Sequence, residues 1–283
     1  MRILTYIILL AVIIVNCCIS CGTTNKNTKA PELRNYTDKI VSETRLPYVL
    51  DISFKAKRLI YYGATHSQNP ADTMFDDIER KFHELKPEIA FNEGGNWPVY
   101  NNRDSTIRYS GESGFLRRLC KVKNVLVQSI EPPDSLEVNH LLSKFKREDI
   151  LLMYFVRQVE QISALSFIDS EVEINIDRFI RTLKGKGLRL TETELNHRYF
   201  VSLYEKFYKK SFDKNTFDPT TYWPIYNKTL LNKISRESSY FRDNYAIKEI
   251  EKALEKYDKV FVVMGGSHLL VQEPMLKYII RKK

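Results

Sequence analysis

The segment Lys259-Val-Phe-Val-Val-Met-Gly-Gly-Ser-His268 decides how the rest of the chain is read. Its continuous apolar run, rich in Val, is the pattern of a strand buried on both faces. The run stops at Gly265-Gly266 and delivers a histidine. The same grammar stands near the front, at Leu59-Ile-Tyr-Tyr-Gly-Ala-Thr-His66. The question posed by the sequence is whether these two histidines meet.

Working outward, Arg58–Tyr62 reads as the first strand, followed by Gly63-Ala64-Thr65-His66. Asn69-Pro70 reads as a helix start, and Met74, Phe75, Ile78, Phe82 and Leu85 recur at helical spacing. Glu88-Ile-Ala-Phe-Asn-Glu93 is then a second strand, so the spacing predicts a βαβ unit with parallel strands. A loop through Asn101–Ser110 and a short helix Gly114–Lys121 lead to a third strand, Asn124–Ile130, which ends at Glu131. From Leu136 to Phe241 helical patterns replace strands: Arg147–Leu165, Ser170–Leu183, Glu192–Tyr208 and Pro224–Tyr240. The aromatic stripe from Tyr199 to Tyr208 reads as packing within this insertion. Arg242-Asp243-Asn244 then opens a helix leading into the Val260–Met264 strand, Gly265 and Gly266 supply unusual backbone angles for a tight turn, and a last helix starts at Pro274. The expectation is an α/β fold: a mainly parallel central sheet flanked by helices, with a large helical insertion over about residues 136–241.

The chain has 283 residues, 43% hydrophobic and 28% charged, enough for one large domain, here placed at 46–283. Residues 1–21 read as a signal peptide, with the apolar run Ile3–Val15 too short to span a bilayer. Cys17-Cys18-Ile19-Ser20-Cys21-Gly22 resembles a bacterial lipobox, with Cys21 as the lipidated residue and Cys18 as the alternative. A lipid on Cys21 makes the membrane a partner and the bacterial cell envelope the location. Residues 22–45 read as a tether. Cys120 is then the lone remaining thiol and reads as core. The net charge is +9, but the Lys and Arg residues are scattered and no nucleic-acid motif is present.

The chemistry gathers at strand ends. His66, Glu93, Glu131 and His268 each follow a predicted strand, and ligands of open α/β sheets sit at the carboxyl ends of parallel strands. A charge closing an apolar strand, as Glu93 does, needs a partner. His83, His140 and His197 read as surface or core residues, and pattern reasoning alone leaves Arg242 out.

The set Gly63-x-x-His66, Glu93, Arg242-Asp243 and Gly265-x-x-His268 resembles the TIKI/TraB superfamily, with its erythromycin esterase-like and ChaN-like members. The resemblance covers about residues 57–135 and 240–283. It implies a shared site of His66, Glu93, Arg242 and His268, with Glu131 a weaker transfer. It also implies a hydrolase of peptidase or esterase type, acting on a small-molecule or peptide substrate. Two forms stay open. In one, His66, Glu93 and His268 hold a divalent metal, Zn or Mn. In the other no metal is needed and His66 is a general base, Glu93 orients water, and His268 with Arg242 stabilises charge. Ala64 stands where the esterases carry an acid. The alternatives are a haem- or iron-carrying lipoprotein, with Tyr61, Tyr62 or the histidines as ligands, and a non-enzymatic lipoprotein.

Overall fold

A computed structural model describes residues 29–163 and 169–283. The signal-peptide and lipobox readings, Cys21 included, lie outside the described residues. Lys259–Gly265 is indeed a strand, and the sheet is built around it. The strands are β1 (Tyr48–Phe54), β2 (Lys57–Ala64), β3 (Ile89–Asn92), β4 (Leu126–Ser129) and β5 (Lys259–Gly265). Their spatial order is β1-β2-β5-β3-β4. β2, β3, β4 and β5 all run parallel, and β1 joins β2 antiparallel. The structure therefore has the expected mainly parallel α/β sheet.

β5 sits between β2 and β3 and is covered on both faces, which is why its run is uninterrupted. Val260, Val262 and Met264 enter one core layer with residues of the helices α8 (Leu230–Lys256) and α9 (Gly266–Arg281). Phe261 and Val263 enter the other, against α2 (Thr73–Leu85) and α3 (Arg103–Lys123). Each such buried side chain contributes about 1.5–3 kcal/mol.

Several expectations need correcting. β1 was not expected; it forms a hairpin with β2 across Lys55-Ala56. The α2 helix starts at Thr73 with Asp72 as cap, its carboxylate accepting from the Met74 amide at 2.9 Å, rather than at Asn69. The predicted loop Asn101–Ser110 is mostly helix: α3 begins at Arg103 and runs through a break at Gly111. The tether narrows too. From Leu33 the chain packs against α9, a short helix α1 spans Lys39–Glu43, and Tyr36 is wholly buried.

The insertion comprises α4 (Asp134–Leu142), α5 (Arg147–Ser163), α6 (Asp169–Gly185) and α7 (His197–Tyr208), around a core of its own. Phe200, Leu203 and Tyr204 of the aromatic stripe lie in that core. The two helices predicted on either side of Phe241 are one, α8. Its first turns give Leu231 and Ile234 to the insertion's core, and its last turns give Ile250 and Leu254 to the sheet's core. Between them Ser235, Ser238, Ser239, Arg242 and Asp243 are polar yet buried. A polar break in the apolar face reads as a helix boundary; here it is the inner wall of the site.

The last helix starts at Gly266, not Pro274. Pro274 lies inside it and cannot donate to the Leu270 carbonyl one turn back. Arg34 takes that carbonyl instead, Nη1 to O at 2.8 Å, and its amide donates to the Val271 carbonyl at 3.0 Å. Among the described residues no helix is long and apolar enough to cross a membrane.

Candidate active site

The carboxyl ends of β2, β3, β4 and β5 face the same edge, and all five expected residues collect there. β2 runs out through Thr65 to His66, and β3 ends directly on Glu93. β4 ends at Ser129, and Glu131 follows two residues later. His268 lies in the first turn of α9, which starts as soon as β5 stops.

Arg242 is the hub. It lies 14 residues before the end of α8 at Lys256. At 1.5 Å per residue that is about 21 Å up the helix. Seven residues of β5 span about 23 Å, so Arg242 is level with the strand's carboxyl end. Its Nη2 donates to Glu93 Oε1 at 2.6 Å, and its Nε to Glu131 Oε2 at 2.6 Å. Nη2 also donates to Glu131 Oε1, making that pair two-pronged. Nη1 lies 3.3 Å from His268 Nε2. Glu93 is further held by the Gly265 amide, which donates to Oε2 at 2.7 Å. Burial by itself would raise the Glu93 pKa. The Arg242 guanidinium, the two histidines and the Gly265 amide outweigh it, and the carboxyl is held far below its usual range.

Each histidine has a carboxylate on Nδ1. His268 Nδ1 is 2.7 Å from Asp243 Oδ1, and Asp243 also accepts from Tyr36 at 2.7 Å and Gln272 at 2.8 Å. His66 Nδ1 is 2.6 Å from Glu112 Oε1. The Glu112 bond first, then the Glu93 charge, push the His66 pKa up to about 9 despite the opposing effect of desolvation. With Nδ1 engaged in each ring, both Nε2 atoms turn toward Glu93 and Arg242. His66 remains at the surface, its side chain 71% exposed, whereas His268 is buried.

The glycines are required for space rather than for backbone angle, which corrects the expectation. Gly265 has φ −53° and ψ 139°, open to any residue. A Cβ on it would lie 3.3 Å from His66 Nε2 and 3.4 Å from Glu93 Oε2. A Cβ on Gly266 would fall 2.2 Å from Leu46 Cδ2, and one on Gly63 2.9 Å from the Gly266 Cα. His66 Nε2 and Glu93 Oε2, the two groups expected to handle water, thus converge over Gly265.

The three expected metal ligands are arranged around a guanidinium rather than around one point. His66, Glu93 and His268 would have to surround one point. Instead the Arg242 guanidinium stands between Glu93 and His268, and both Glu93 oxygens are engaged. The positive charge a metal would bring is already supplied. Among the described residues no three His, Cys, Asp or Glu side chains converge as a metal requires. Tyr61 and Tyr62, expected as alternative haem ligands, are wholly buried in β2. The Tyr62 hydroxyl donates to Asp77 at 3.1 Å, and Tyr61 lies in the core layer beneath α8 and α9.

His83, His140 and His197 lie outside the site, paired with Glu79, Glu237 and Asp177. Cys120 is buried, and desolvation pushes its thiol up to about 12. Three residues of the cluster were missed, Glu112, Tyr36 and Gln272, and Asp243 was quoted in the motif without a role. Asp243 adjoins Arg242, and Glu112 sits in the Gly111-x-x-Gly114 break, so both left a trace. Tyr36 lay in a stretch whose composition reads as linker. Searches against protein-family models and curated proteins returned no match.

Proposed function

We propose that the chain is a hydrolase of ester or amide bonds that works without a metal. The observation carrying this is the convergence of His66 Nε2 and Glu93 Oε2 over Gly265, 3.3 Å and 3.4 Å from the point where a Cβ on that glycine would stand. A water bridging those two atoms would have a base on one side and a fixed carboxylate on the other. Water oxygen attacks the carbonyl carbon as His66 Nε2 takes its proton. The carbonyl electrons move onto oxygen. When they return, the bond to the alcohol or amine breaks, and His66 gives the proton to the leaving group. Four of the five Arg242 N–H groups are directed at Glu93, Glu131 and His268. Its role is therefore first to clamp Glu93 and only secondly, through the remaining Nη1–H, to stabilise the oxyanion. The TIKI/TraB resemblance and its esterase-like branch support the same reading. Ala64 departs from that branch, and the carboxylate on His66 comes instead from Glu112 of α3.

The test is hydrolysis of 4-nitrophenyl acetate by the purified chain in the presence of EDTA. Turnover that survives chelation and falls at least a hundredfold in His66→Ala is expected. Turnover abolished by EDTA and restored by Zn or Mn would reject the metal-free route.

A further inference from the structure

Ten large apolar side chains are exposed among the described residues, and the aromatic ones are Trp97, Tyr100 and Tyr109. They are 41%, 39% and 64% exposed, and all three fall in the short stretch that follows β3. That stretch borders the site. Trp97 Nε1 donates to the carbonyl of Glu93 itself at 3.0 Å, and the ring lies against Gly94, where a Cβ would fall 2.5 Å from Nε1. A Cβ on Gly111 would be 3.3 Å from the carbonyl of Ser67, next to His66, and one on Gly114 would be 3.3 Å from the Pro98 carbonyl. Tyr109 stands two residues before that break, and Glu112 just after it holds His66. Trp97 and the helix segment carrying Tyr109 therefore border the site beside Glu93 and His66.

They are also held in place. The Tyr100 amide donates to Thr106 Oγ1 at 3.1 Å, and its carbonyl accepts from Arg118 at 3.2 Å. The Tyr100 and Tyr109 rings lie 5.1 Å apart at 44°. Aromatic rings fixed before binding lose little entropy on contact. An apolar ligand would call for an enclosed pocket that removes it from water. Here the rings lie open, beside the exposed amides of Asn96 and Asn101. Of the nearby arginines, Arg103 is turned onto Asp76, Arg118 onto the Tyr100 and Asn101 carbonyls, and Arg108 is exposed beside Tyr109. An open, wet platform suits a ligand that lays one C–H face on a ring and leaves its polar groups hydrated or bonded to the amides and arginines at its edge.

We propose that Trp97, Tyr100 and Tyr109 form a binding platform for a sugar ring, so that the substrates of the site are acyl groups carried on saccharides. The reaction rests on the hydrolase reading; the binding does not. The full chain, in detergent, is titrated with cellohexaose, xylohexaose and chitohexaose while tryptophan fluorescence and heat are recorded. At least one sugar should bind saturably at millimolar or lower concentration. Binding should weaken at least tenfold in Trp97→Ala and in Tyr109→Ala, both judged folded by circular dichroism, and should persist in His66→Ala. Sugar binding without any ester hydrolysis would sink the hydrolase reading and leave the platform standing. No saturable binding of any of the three sugars, equal binding in both aromatic variants, or binding instead to neutral phosphatidylcholine vesicles through the same rings would overturn the platform.

Discussion

His66 has an exposed side chain and a pKa raised to about 9, above the ordinary 6.5. The first cause is the Glu112 bond, the second the Glu93 charge. The sign follows from linkage. A group whose pKa is higher in the folded state contributes stability that is fully present below about 6.5 and is lost as pH rises through about 9. Urea midpoints of the wild type should therefore fall across that window, and His66→Ala should flatten the fall. An equal slope in the variant would show that His66 does not carry the shift. The same ionisation sets the rate. Only the neutral ring accepts a proton, so hydrolysis should climb with pH and level off above about 9. Glu112→Gln should move that plateau to lower pH, which a pH–rate profile reads directly. His66 itself was legible in the sequence because a Gly-x-x-His turn after a strand is a local pattern. Glu112 was not, because its role depends on a contact 46 positions away.

The elements owe their usefulness to irregularities that hide them in the sequence. α3 breaks at Gly111, with φ 55° and ψ −152°, a region almost closed to residues with a Cβ. That break turns Glu112 onto His66. Gly111→Ala should cost about 1–3 kcal/mol in urea unfolding and reduce hydrolysis further than the stability loss explains. Full activity in this variant would separate the kink from the site. α8 was read as two helices because its polar middle interrupts the apolar face, yet that middle carries Arg242 and Asp243 inward. α9 holds a proline whose missing donor is offset by Arg34, from a segment read as tether. Arg34 also pairs with Glu273 at 2.7 Å. Arg34→Ala should destabilise the fold by about 1–3 kcal/mol, the range for a hydrogen bond to a charged group. Strands were easier to see than these helices, because β5 and β2 are buried on both faces and carry no polar interruption until they end. β1, at the sheet's edge, has an alternating pattern that is half exposed, and it went unseen.

Across the whole molecule, one guanidinium ties three separate parts of the chain together. Arg242 joins the helix that bears the insertion to the ends of β3 and β4. Its carboxylate partners are mostly buried, so Arg242→Ala leaves them uncompensated and should destabilise the fold by about 3–5 kcal/mol. A loss below 1 kcal/mol in urea unfolding would mean that Arg242 serves the site without holding it. The parallel sheet and the helical detour were legible because periodicity is local; the tie between them was not, because it spans 149 positions from Glu93 to Arg242. The account as a whole rests on the convergence of His66 Nε2 and Glu93 Oε2 over Gly265. The most direct measurement is kcat/KM on 4-nitrophenyl acetate for the wild type and Gly265→Ala, with thermal melting as the control. The backbone angles at Gly265 accept alanine, so the fold should survive, while the added methyl lies between His66 and Glu93. The expected result is an unchanged melting profile with a loss of about a hundredfold or more, the scale of a misplaced reacting group. A folded Gly265→Ala protein with wild-type kcat/KM would contradict the account.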